Sequence, residues 1–73
     1  NVEATLENTE LFESVQVLLS ELPEEQRNAY ILCEVDTKNY DEIAKITGVP
    51  VGTVRSRIFR ARQYLMENLK DRL

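Results

Sequence analysis

Tyr40-Asp41-Glu42-Ile43-Ala44-Lys45-Ile46-Thr47-Gly48-Val49-Pro50-Val51-Gly52-Thr53-Val54-Arg55-Ser56-Arg57-Ile58-Phe59-Arg60-Ala61-Arg62 decides the fold. Asn39, just before it, suits an N-cap, and Glu42 completes a capping box in which each side chain satisfies the other residue's orphan backbone donor. Gly48 can take the left-handed conformation that ends a helix without steric cost. Pro50 disfavours helical geometry at Val49 and leaves Pro50 or Val51 to open the next helix. The pattern predicts a short helix carrying Ile43, Ala44 and Ile46, a tight turn, and a long helix from about Val51 to about Leu69. Small Ala44 lets two helices approach, Gly48 makes the turn, Val49 plugs the gap beneath it and Val54 packs the second helix on the first. That order is what a helix-turn-helix needs; an ordinary helical hairpin is the alternative.

At about 100° per residue, Val51, Val54, Ile58, Ala61, Leu65 and Leu69 share one side of the long helix, which is expected to be core. The opposite side presents Gly52, Ser56, Phe59, Arg60 and Gln63, with Arg55 and Arg57 on the flanks. Phe59 is the informative misfit, since burying a Phe is worth about 1.5–3 kcal/mol and this position holds it in solvent. In a DNA major groove Phe59 can touch a thymine methyl, Arg55 or Arg60 can pair with guanine O6 and N7, and Ser56 can donate or accept at a base edge. Thr53 and Arg57, to either side of that face, suit phosphates. The competing account of Phe59 is a packing contact with a neighbouring helix or a partner protein.

Upstream, Leu11, Phe12, Val15, Leu18, Leu19 and Leu22 recur at helical spacing and predict a helix from about Thr9 to near Glu21. Pro23 restarts the chain where a missing N–H costs nothing, with Glu24 and Glu25 in a first turn whose dipole favours negative charge. A second helix to about Val35 offers Tyr30, Ile31 and Val35, with Ala29 and Leu32 beside them, to the core. Residues 1–8 lack periodicity and read as linker or frayed end, leaving 9–73 as one domain with its helix-turn-helix at about 40–69. The fold class expected is all-α: a four-helix domain with a C-terminal helix-turn-helix and no wing.

A net charge of −4 argues against nucleic acid, but the two parts of the chain differ. Residues 1–50 sum to −8 and residues 51–73 to +4, with Arg55, Arg57, Arg60 and Arg62 standing in a stretch free of acids. A local basic stripe of this kind is what phosphate backbones select, although a solvated helix face can look alike. No apolar run approaches the roughly 20 residues of a membrane span, so membrane insertion is not expected. With Cys33 as the one cysteine and no histidine, a disulfide framework is excluded, no metal or other cofactor is expected, and a reducing compartment such as the cytoplasm fits. Cys33 itself reads as a small buried apolar residue. The absence of a Gly-rich phosphate loop and of an activated nucleophile argues against an enzyme and against a small-molecule substrate. The chain opens on Asn1 without a signal-peptide pattern and is expected to be a piece of something longer.

The run from Tyr40 to Arg62, with Leu22-Pro23-Glu24-Glu25-Gln26-Arg27 ahead of it, resembles region 4 of the extracytoplasmic-function sigma factors, and is especially similar to the envelope-stress subgroup. The resemblance covers about Leu18 to Leu69, and the segment Pro50 to Arg62 is its specific signature. It implies a four-helix domain that reads the minus-thirty-five promoter element, usually GGAAC-like, in the major groove for transcription initiation. Carried onto matching positions, it implies base contacts from Arg55, Ser56, Phe59 and Arg60, and phosphate contacts from Thr53, Arg57 and Arg62. It further implies that the apolar surface near the first two helices docks on the RNA polymerase beta-subunit flap, and that an anti-sigma factor covers these surfaces. Two departures stand out: Asp36-Thr37-Lys38-Asn39 replaces a more usual Glu-Gly-Leu-Ser linker, and Cys33 sits where larger residues are common. The rival functions are a stand-alone helix-turn-helix regulator dimerising on symmetrical sites, for which no dimerisation helix is evident, and a module devoted chiefly to protein docking.

Overall fold

The computed structural model describes the backbone of residues 2–72 and the side chains of residues 10–71. Four helices follow one another: α1 (Val2–Ser20), α2 (Glu24–Glu34), α3 (Tyr40–Thr47) and α4 (Val51–Arg72). Helix α1 starts well before Thr9, with the backbone of residues 2–8 helical. Glu3, Ala4, Leu6 and Glu7 are favourable helix formers with no Gly or Pro among them, which carries the helix where hydrophobic periodicity gives no signal. Similarly, α4 runs past Leu69 to Arg72, since nothing in Lys70-Asp71-Arg72 breaks it.

Turn chemistry follows the sequence closely. Tightened turns end α1, with the Glu21 and Leu22 N–H groups donating to Leu18 and Leu19 carbonyls at 3.1 Å. Pro23 then caps α2 by backbone alone, and the Arg27 guanidinium donates to the Leu22 carbonyl at 3.2 Å. The capping box is fully formed: the Glu42 N–H donates to Asn39 Oδ1 at 2.8 Å and the Asn39 N–H to Glu42 Oε1 at 2.9 Å. Gly48 has φ 72°, and its N–H closes α3 on the Ala44 carbonyl at 2.8 Å. Thr37, in the α2–α3 linker, also has a positive φ, 53°, which is costly for a β-branched residue.

Two hydrophobic clusters meet along α4. Ala29, Ile43, Val54 and Ile58 are fully buried where α2 and α3 cross its first half, with Tyr40, Ala44 and Val49 packed around them. Leu18, Leu19 and Leu22 pack on Ala61 and Leu65 farther along, with Val15 and Leu69 at the margin. The side of α4 expected to be core is therefore the core side, with Val51 and Leu69 half-buried at its edges. Two apolar expectations fail, for Val35 and for Leu11 with Phe12, and a further apolar residue, Ile46, also stands exposed. Val35 is 69% exposed, because it lies past the end of α2 and is rotated about 240° from buried Ala29. Ile46 is exposed because α3 packs through Tyr40, Ile43, Ala44 and Thr47, leaving Ile46 at the rim. Leu11 and Phe12 belong to the apolar stripe of α1, yet they stand exposed among the described residues.

Candidate nucleic-acid interface

The outer face of α4 is built by what its inner face does. Val54, Ile58, Ala61 and Leu65 are pinned in the two clusters, so rotation of α4 about its axis is fixed and the residues between them point outward. Arg55, Ser56, Phe59 and Arg60 are all exposed, Phe59 at 64%. They lie together on one surface, with Gln63 and Met66 continuing it toward the C-terminal end. Thr53 and Arg57 are half-buried and border the exposed face together on one flank, not one to either side as expected, because residues four positions apart differ by only about 40° on a helix. No acidic residue occupies the first turn of α4, so no side chain of that turn offsets its partial positive charge.

Arg62 behaves differently from the other arginines. Its Nε donates to Glu34 Oε1 of α2 at 3.2 Å, Nη2 pairs with the same oxygen, and Nη2 also approaches Cys33 Sγ at 3.9 Å. The hydrogen bond to Glu34 holds the guanidinium even more firmly charged than usual. This is the one salt bridge among the described residues, so Arg55, Arg57 and Arg60 have no carboxylate partner there. The phosphate role expected for Arg62 therefore competes with an internal partner. Cys33 is half-buried against the cluster rather than fully enclosed.

Two residues that matter here escape sequence reading. Tyr40 lies under Arg55, whose guanidinium carbon is 5.9 Å from the ring centroid. Glu34 takes Arg62, 28 positions away. Neither pair is a neighbour on one helix, so no periodicity reports them; only the crossing of α2 and α3 over α4 brings them together. Elsewhere, Tyr64 Oη donates to Glu21 Oε1 at 2.6 Å, tying α4 to the end of α1 and raising the phenol's pKa. Among the described residues no group of His, Cys, Asp and Glu is placed to hold a metal ion, and no helix is long and apolar enough to cross a membrane.

An exposed arginine-rich helix held by a shorter helix across a glycine turn defines a helix-turn-helix domain, and the family model described as "Sigma-70, region 4" matches residues 12–65. The chain belongs to that family. It is similar to the ECF RNA polymerase sigma-E factor of Escherichia coli (strain K12), 49% identical over 63 residues that cover 86% of this chain and 33% of that protein. It is also similar to the ECF RNA polymerase sigma factor SigE of Mycolicibacterium smegmatis, 42% identical over 69 residues covering 94% of this chain and 27% of the relative. The chain thus spans a third or less of the length of these curated relatives.

Proposed function

We propose that this chain is the promoter-reading part of an alternative sigma factor, laying α4 in the major groove of a minus-thirty-five element while RNA polymerase is tethered to the same factor. The observation that carries it is the exposure of Phe59 between Arg55, Ser56 and Arg60, on a helix whose opposite side is fixed in the core. Arg55, Ser56, Phe59 and Arg60 read bases; Thr53 and Arg57 hold phosphates, and Arg62 joins them when it leaves Glu34. The working unit is residues 9–73, with 1–8 leading into it. Exposed Leu11 and Phe12 on α1 offer an apolar surface to the polymerase beta-subunit flap, and an anti-sigma factor occupies the same surfaces when transcription is silenced. The work is done in the cytoplasm, by binding rather than catalysis.

Selection of DNA from a random pool by the chain fused to the remainder of a sigma factor and bound to core polymerase tests this directly. Enrichment of one minus-thirty-five-like sequence is the expected result, and a pool without consensus refutes the proposal. The isolated chain is expected to bind the selected duplex weakly at physiological salt, because so small a module neutralises few phosphates.

A further inference from the structure

We infer that Tyr40 is a positioning residue for DNA readout: its ring holds the Arg55 guanidinium in place for the groove before DNA arrives. The inference rests on the base-reading role proposed for Arg55. Arg55 and Arg62 lie seven positions apart on the same flank of α4, so both face the crossing helices. They are restrained by different means: Arg62 is taken by Glu34, while Arg55 has no carboxylate partner and its guanidinium carbon sits 5.9 Å from the centre of the Tyr40 ring. That distance is within reach of a cation–π contact, which restrains an arginine without consuming its donors. An ion pair of the Arg62 kind ties up donors that a base edge needs; an aromatic ring within cation–π reach takes none of the N–H donors.

Tyr40 can do this because it is itself fixed. It is the first residue of α3, directly after Asn39, whose reciprocal hydrogen bonds with Glu42 set the backbone there. One side of the residue packs on the cluster of Ile43, Val54 and Ile58, and it remains partly exposed. An exposed arginine normally gives up much rotamer freedom on docking, and restraint beforehand lowers that cost. Because the contact is with one arginine, its loss is felt at the base pair that arginine reads.

The test uses the chain fused to the remainder of a sigma factor and bound to core polymerase, with the selected duplex and a set of duplexes in which each base pair is replaced in turn. Tyr40→Leu keeps an apolar packing group and removes the ring face; Tyr40→Phe keeps the ring. The expected result is a loss of about two- to fivefold in discrimination for Tyr40→Leu, at the same base pair where Arg55→Ala loses it, with Tyr40→Phe close to the parent. The double variant should be no worse than Arg55→Ala alone. In the DNA-free protein, the Arg55 Nε–H resonance should carry a ring-current shift that Tyr40→Phe keeps and Tyr40→Leu abolishes. Additive losses, an equal weakening on every duplex, or an absent ring-current shift overturns the inference while leaving Arg55 as a base reader. If Arg55→Ala discriminates like the parent, the base-reading role of Arg55 fails first and the positioning role falls with it.

Discussion

Neighbouring residues on α4 are expected to have opposite roles. Ile58 is fully buried and Phe59 is 64% exposed, so Ile58→Ala should cost about 2–5 kcal/mol of stability whereas Phe59→Ala should cost under about 0.5 kcal/mol yet lose DNA binding. Thermal melts beside a binding titration separate the two, and a large stability loss for Phe59→Ala means it serves the fold. Arg60 and Arg57 divide in another way. Arg60→Ala should lose about 1–3 kcal/mol of discrimination at one base position, while Arg57→Ala should weaken all duplexes alike and lower the salt slope by about 1. Identical behaviour of the two variants removes the assignment of roles. This division was legible in the sequence because both the buried and the exposed residues obey one helical period. The partners of Arg55 and Arg62 were not, since Tyr40 and Glu34 reach them only through tertiary packing.

Among the elements, the α2–α3 linker and the α2–α4 crossing carry the features most open to change. Thr37 stands in a left-handed conformation, φ 53°, in the linker between α2 and α3. Its hydroxyl donates only to the adjacent Asp36 carbonyl, at 2.7 Å, which does little to offset the backbone. Thr37→Gly should therefore stabilise the fold by about 1 kcal/mol in chemical denaturation, and a destabilised variant means Thr37 makes a contact that matters more than its backbone. At the crossing, both members of the Glu34–Arg62 pair are more than two-fifths exposed, so the pair adds only about 0–1 kcal/mol to stability. Its effect on function is larger: Glu34→Gln should free Arg62 for phosphate, tighten DNA binding and steepen the dependence of log Kd on log salt by about 1. An unchanged slope leaves Arg62 as a tie between helices. The helix boundaries near Asn39, Gly48 and Pro50 were readable because each has a local stereochemical cause; Val35, Leu11 and Phe12 misled because apolar character says nothing about which neighbour arrives.

For the molecule as a whole, alkali should be a sensitive probe. Burial, with Glu34 nearby, raises the Tyr30 pKa above its ordinary 10.0, and the hydrogen bond to Glu21 raises that of Tyr64. Because the folded phenols hold their protons longer than unfolded ones, their contribution is complete below pH 10.0 and is lost as pH climbs through the folded values. Chemical denaturation at rising pH, followed beside tyrosinate absorbance, should show stability falling as the phenols ionise; ionisation with no loss of stability contradicts it. A final consequence comes from the two hydrophobic clusters, whose boundary on α4 falls between Ile58 and Ala61, within a single helical turn. That helix is an axle with two separate bearings, one gripping α3 and the other mooring α1. Wear at one bearing need not unseat the other, so sequence change on the surface of α1 and sequence change around the α3 turn can be accommodated on different stretches of the same axle.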